Sequence, residues 1–239
     1  MKKLIEGAGK LGIELNARQV KQFELYYQEL IEWNKKINLT AITDYSSVQV
    51  KHFLDSLTIT LVLPEKEVKR PDFNIIDIGT GAGFPGVPLK ILFPQPKLVL
   101  IEPTTKKTSF LNYITHKLEL ENVKILNSRA EEAAHLPLYR EQFALVLSRA
   151  VASLPTLVEL TLPFCRIGGK LVAQKKGEID QEINRAEKAI TNLGGKLDQM
   201  KKIELGEFSD VRYLVIIAKI FPTPGKYPRR SGIPERRPI

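Results

Sequence analysis

The sequence predicts an α/β fold in which a helical extension precedes a mostly parallel sheet of seven strands with an antiparallel strand at its edge. Three observations carry this. From residue 74 onward, short β-branched runs alternate with helix-like segments of ordinary length, the pattern of parallel strands joined by right-handed helical crossovers. A glycine-rich stretch, "DIGTGAGFPG" at 77–86, follows the first run directly. The last two runs, "DQMKKIEL" and "RYLVIIAKI", are joined by a glycine-containing link with no helix, so they pair antiparallel at one sheet edge.

The helical extension spans residues 1–70. Asn16 and Gln19 form a capping-box pair, after which Val20, Phe23, Tyr27, Leu30 and Ile31 fall on one helical stripe. A second helix starts after Asp44 or Ser46, carries Val50, Leu54, Leu57 and Leu61, and stops at Pro64. The sheet domain, 71–221, then takes its strands from "NIIDI", "KLVLIE", "VKILN", "FALVLS", "KLVAQ" and the final antiparallel pair. Residues 222–239 form a basic, proline-rich tail with no apolar periodicity, which predicts neither helix nor central strand.

Composition narrows the function. At 239 residues and 43% hydrophobic, the chain has the usage of a soluble globular protein rather than of a disordered one. No apolar run approaches the ~20 residues of a membrane helix, and the start is too interrupted for a secretory signal, so the cytoplasm is the expected compartment and a monomer the expected state. Cys165 is the only cysteine, and the histidines at 52, 116 and 135 lack metal-ligand spacing, which excludes an internal disulfide and argues against a metal enzyme. A net charge of +9 favours a polyanionic partner.

The glycine-rich stretch predicts a ligand at the switch point of strand order, where backbone and helix N-terminus approach it closely. A dinucleotide fingerprint fits poorly. Counting from Gly79 places Phe84 where the third glycine belongs, and counting from Gly81 stretches the turn and puts Pro85 inside it. Glu102, at the end of the second strand and about twenty residues on, stands where a carboxylate reaches ribose hydroxyls; its bland alternative is a solvated strand-end acid. Asp77, one residue before the first glycine, completes the pattern hDhGxGxGxPG. That pattern resembles the first motif of the class I S-adenosylmethionine-dependent methyltransferases.

The resemblance extends along the chain. "NLTAI" at 38–42, "HFLDSL" at 52–57, "DIGTGAGFPGVPLKI" at 77–91, "EPTTKKTSFL" at 102–111 and "SRA" at 148–150 together resemble the bacterial small-subunit rRNA methyltransferases once called glucose-inhibited division protein B. The resemblance implies a Rossmann-like class I methyltransferase fold. It implies S-adenosylmethionine as cofactor, S-adenosylhomocysteine as product, and methyl transfer to N7 of one guanine in a decoding-region loop of 16S rRNA. The cofactor site it implies comprises Gly79, Gly81, Gly83, Phe84, Glu102, Pro103, Thr104, Ala130, Glu131 and Arg149. The partner would be 16S rRNA or the small ribosomal subunit; whether naked RNA, an assembly intermediate or the mature subunit is left open.

The residues after the fourth strand bear on the target atom. Amino-group methyltransferases commonly carry an Asn or Asp, two prolines and an aromatic there, and this chain has "SRAVASLP" instead. Guanine N7 already offers an in-plane lone pair, so no general base is needed and alignment does most of the work. Arg149 is accordingly the expected orienting residue, holding cofactor or an RNA phosphate, or else a surface cation paired with an acid. His52 and Asp55, three apart on one helix face, either brace that helix through a mutual hydrogen bond or line the substrate entrance. Asn38 reads as a terminator of the first helix, Lys106 and Lys107 as solvated, and Phe23, Tyr26, Tyr27 and Trp33 as packing rather than a base-stacking platform.

The tail carries Lys226, Arg229, Arg230, Arg236 and Arg237 against Glu235, a net +4 within the last nineteen residues. Arginine-rich charge of this density predicts RNA phosphate contacts, with Arg212 of the last strand extending the same surface. Two other classes of function stay open on sequence alone: a nicotinamide-type oxidoreductase on the same fold, and an RNA-binding protein without catalysis.

Overall fold

The computed structural model describes residues 1–149 and 152–239. Ala150, part of the "SRA" motif, and Val151 lie outside the described residues.

Two helices open the chain, α1 (Lys2–Lys10) and α2 (Ala17–Asn34). Asn16 Oδ1 accepts from Gln19 N and Gln19 Oε1 accepts from Asn16 N, so the expected capping box forms. The sequence reading missed α1, whose Gly7 lies against the Leu54 side chain where a Cβ would not fit. Asn34, not Asn38, ends α2: its side chain accepts from Leu39 N and Thr40 N. Asp44 caps α3 (Tyr45–Val48), which runs through a π-helical stretch (Gln49–Leu54) into α4 (Asp55–Leu57) and a 3-10 turn (Thr58–Val62) before Pro64 and α5 (Glu65–Val68).

The sheet is built from β1 (Asn74–Ile78), β2 (Lys97–Ile101), β3 (Val123–Leu126), β4 (Phe143–Arg149), β5 (Cys165–Lys176), β6 (Gly195–Ile203) and β7 (Arg212–Lys219). Between them run α6 (Gly86–Leu92), α7 (Thr105–Lys117), α8 (Ala130–Ala133), α9 (Leu154–Thr161) and α10 (Asp180–Asn192). The strand order is β3-β2-β1-β4-β5-β7-β6, and only β7 runs against the rest. β7 sits one place inside the edge and β6 forms the edge itself. Strand order reverses between β1 and β4, so the crevice at their carboxyl ends is where such a sheet takes ligands.

Period-two alternation divides the core into two layers. Ile75, Leu98, Leu100, Leu145 and Val172 face Leu4, Phe23, Tyr26 and Phe53, so the helical extension shares one apolar core with the sheet. Ile76, Val99, Val146 and Ala173 face Leu157, Ala186 and Ile190 of α9 and α10. Phe23 and Tyr26 are fully buried, as packing aromatics should be.

The tail departs from expectation. A four-residue helix, α11 (Ile233–Arg236), forms despite Pro234, because proline in a first turn removes only an N–H that has no helical partner.

Candidate cofactor and substrate site

The glycine turn is organised by two carboxylates. Asp77 Oδ2 accepts from the Thr80 hydroxyl at 2.6 Å and from Gly86 N at 2.9 Å, tying both ends of the turn to β1. Burial pushes the Asp77 carboxyl up to about 6, against the pull of the Thr80 and Gly86 hydrogen bonds. Glu102 Oε2 accepts from Gly81 N at 3.1 Å and Oε1 from Thr104 N at 3.0 Å. Asn127 braces the same corner by donating to the carbonyls of Glu102 and Pro103.

Three glycines of the turn have positive φ: Gly79 at 67°, Gly81 at 61° and Gly83 at 101°. They serve different ends. A Cβ on Gly81 would meet nothing within 4 Å, so that backbone borders open space. On Gly83 it would stand 2.6 Å from the Tyr26 hydroxyl and 2.7 Å from Val87, so this glycine is required by packing.

The residues fit an adenosyl group. A carboxylate has about four acceptor positions, and the two backbone N–H groups leave Glu102 with capacity for a pair of ribose hydroxyls. Beside it lies a cavity of about 180 Å³ whose walls combine the apolar Ile101, Pro103, Ala130 and Leu160 with the polar Glu131 and Thr156, an apolar face with polar edges suited to a purine.

A second, larger cavity of about 520 Å³ opens beyond Ala152, which borders both. At its centre Asp55, almost fully buried, accepts from Arg149 NH1 at 2.9 Å on one oxygen and from Arg212 NH1 at 3.1 Å on the other. Arg149 also donates to the Lys51 carbonyl, exposed in the π-helical stretch, and to His52 Nδ1 at 3.3 Å. Since the guanidinium only donates, His52 Nδ1 is the acceptor, Nε2 carries the proton, and Thr40 Oγ1 receives it at 2.8 Å. Burial first, and the Arg149 charge second, depress His52 to about 3, so the ring is neutral. His52 stacks on Phe84 at 4.6 Å, and the Arg149 guanidinium lies 5.1 Å from the same ring. Lys51, Arg149, Lys175, Lys176 and Arg212 outnumber Asp55, Glu182 and Asp210 around this cavity. Lys175 is held by Glu182 at 2.7 Å, whereas Lys51 and Lys176 are exposed, with no ion-pair partner among the described residues.

A family model described as rRNA small subunit methyltransferase G matches residues 19–209. The chain belongs to that family. The Ribosomal RNA small subunit methyltransferase G of Dehalococcoides mccartyi is 52% identical over 239 residues, all of both chains. That of Alkaliphilus metalliredigens is 44% identical over 99% of this chain and 97% of its own. The methyltransferase G family is S-adenosylmethionine-dependent. In fold, the chain is similar to the geranyl diphosphate C-methyltransferase of Streptomyces coelicolor, with a TM-score of 0.53 at 13% identity over 82% of this chain and 98% of that one.

Among the positions that the methyltransferase G resemblance points to, the structure gathers Gly79, Gly81, Glu102, Pro103, Thr104, Ala130 and Glu131 around the turn and the smaller cavity. Arg149 lines the larger cavity instead, and the buried Phe84 packs behind it, stacked with His52 and under the Arg149 guanidinium. Arg212, expected beside the tail, shares Asp55 with Arg149. The reason is pairing: β7 lies next to β5, which carries it to the same sheet end as β4. His52 and Asp55 are bridged by Arg149, and among the described residues no hydrogen bond joins them directly. The tail also divides. Arg229 is spent on Glu159, while Lys226, Arg230, Arg236 and Arg237 are exposed. Sequence reasoning passed over Thr40, Asn127 and Gln174; only the partners that folding brings to them reveal their part in the site.

Proposed function

We propose that this chain methylates N7 of a guanine in a decoding-region loop of 16S rRNA. The observation that carries this is the pairing of two adjoining cavities. The smaller lies beside the Glu102 corner; the larger is basic, and the acids that line it are paired with its cations. S-adenosylmethionine, when bound, supplies an electrophilic methyl group. Each candidate base lining the larger cavity faces a cation: His52, neutral with both ring nitrogens hydrogen-bonded, meets Arg149, each Asp55 oxygen accepts from an arginine, Glu182 pairs with Lys175 and Asp210 with Arg212. An exocyclic amine would have to lose a proton during transfer, whereas guanine N7 attacks through a lone pair and loses none. Such a site works by alignment.

In this reading Arg149 orients. Its guanidinium is fixed by Asp55, the Lys51 carbonyl and His52, and its charge faces an RNA phosphate rather than N7, which becomes cationic on methylation. Glu102 holds the ribose, and the exposed Lys51, Lys176, Lys226, Arg230, Arg236 and Arg237 meet the RNA backbone. The experiment is transfer of labelled methyl from S-adenosylmethionine to naked 16S rRNA, to assembly intermediates and to the small subunit, with the modified base mapped. Label at guanine N7 is expected. Label on an exocyclic nitrogen would refute the argument, and no label on any substrate would favour RNA binding without catalysis.

A further inference from the structure

The segment after β7 is clamped to the body of the protein along most of its length. Arg140 donates to the carbonyls of Thr223, Pro224 and Tyr227, and His135 Nε2 pairs with the Pro228 carbonyl at 2.9 Å. Glu159, fully buried on α9, receives Arg229 in a forked pair, with Nε to Oε1 at 2.8 Å and NH2 to Oε2 at 2.6 Å, and also accepts from Arg229 N. Burying a carboxylate is costly unless a cation meets it there, so this pair anchors the segment in one place.

Beyond the anchor the chain turns over the smaller cavity. Gly232 N donates to Glu131 Oε1 at 3.2 Å, Thr156 Oγ1 donates to the Pro234 carbonyl at 3.0 Å, and Pro234 is buried. Gly232, Pro234 and Glu235 thereby line the cavity together with Gly79, Pro103 and Ala130. We propose that residues 229–236 form a strap that completes the cofactor site, anchored by Arg229–Glu159 and latched by Glu131 and Thr156, so that cofactor binding and strap closure reinforce one another. The inference rests on the reading of this cavity as the cofactor site. It gives Glu131 a second role, since one of its carboxylate oxygens holds the strap.

Coupling is reciprocal: whatever factor the strap adds to cofactor affinity, the cofactor adds to strap closure. The test therefore reads both. S-adenosylhomocysteine is titrated by calorimetry into the parent, into Thr156→Val, and into the double variant Glu159→Gln, Arg229→Gln, which removes the anchor without leaving a buried charge alone. Tryptic cleavage after Lys226 and Arg230 is timed with and without the same ligand. The parent should bind, and the ligand should slow cleavage. Thr156→Val, which removes one hydrogen bond, should weaken binding about fivefold. The double variant should weaken it about tenfold or more and abolish the protection. If it unfolds, Thr156→Val and the protection of the parent decide alone. Parent-like affinity in the variants, with cleavage indifferent to ligand, would overturn the strap and leave the cofactor site standing. A parent that does not bind S-adenosylhomocysteine would overturn both.

Discussion

Replacing Glu102 tests the cofactor site and the turn together, because its carboxylate does two jobs. Its oxygens hold Gly81 N at 3.1 Å and Thr104 N at 3.0 Å, and their remaining lone pairs are the ones proposed to accept from the ribose. Glu102→Ala removes both backbone bonds. Hydrogen bonds to a charged acceptor contribute about 1.5 to 3 kcal/mol each, and Gly81 and Thr104 are open enough for water to recover part of that. A net stability loss of about 3 kcal/mol follows, which in a chain of this size lowers the melting temperature by roughly 6 to 12 °C. The ligand loses its own charged hydrogen bonds as well, a further factor of roughly 10 to 150 in the dissociation constant. Glu102→Gln keeps one acceptor but turns an amide NH2 toward a backbone N–H, so it should fall between parent and alanine in both measures. Differential scanning calorimetry and titration with S-adenosylhomocysteine give the two numbers. Equal affinity in all three proteins would remove Glu102 from the site, and an unchanged melting temperature in the alanine variant would show that the turn does not depend on it.

The other predictions concern protons, glycines and phosphates. His52 is held near 3 in the folded chain against an ordinary 6.5, so its neutral form contributes stability at and above pH 6.5 that is lost as pH falls toward 3. Denaturant unfolding at pH 7 and pH 4 should show the parent losing about 3 kcal/mol more than His52→Gln, and equal losses would dissolve the network argument. Gly81→Val should fold, at a cost for its φ of 61°, yet bind S-adenosylhomocysteine poorly. Gly83→Ala should be damaged chiefly in stability, because its Cβ meets Tyr26 and Val87; the opposite ranking of the two defects would exchange their roles. Neutralising Lys226 and Arg237, which lie outside the strap, while leaving Arg229 in place should weaken binding of a 16S rRNA fragment and flatten its salt dependence without altering cofactor affinity. Filter binding across a salt series measures this, and a parent-like slope would free the tail of any RNA role.

What the sequence revealed depended on whether the physics is local. The capping box of α2 and the stop at Pro64 are decided by neighbouring residues, and both were legible. The strand pattern was legible because burial on both faces demands continuous apolar runs. The glycine turn and Glu102 announced themselves by spacing. α1 did not, because Gly7 and Gly9 weaken any helical reading and the reason for Gly7, the Leu54 side chain, lies far along the chain. The π-helical stretch was hidden for a similar reason: Val50, Leu54, Leu57 and Leu61 keep ordinary α spacing, and only Arg149 on the Lys51 carbonyl shows what the wider turn exposes. Arg212 was grouped with the tail because both are basic. Charge type carries no information on which sheet end a residue occupies, and strand order decided that.

That division of the arginines changes how the basic character of this protein should be understood. Arg140 holds the segment before the strap and Arg229 the strap itself, and Arg149 and Arg212 neutralise Asp55, so four cations are committed to the architecture. Removing any of them disturbs the fold or the pockets before it reports on RNA. The uncommitted charge has a definite place. Lys51 and Lys176 line the larger cavity, and Arg236 is hydrogen-bonded to Gly232, which lines the smaller one. Exposed cations therefore stand beside both cavities, which meet at Ala152. A phosphate backbone drawn there would bring a base to the larger cavity while the strap closes the smaller. Within this reading, attraction and alignment are supplied by different residues: exposed surface cations gather the RNA, and the buried Asp55 network keeps Arg149 in one position against it.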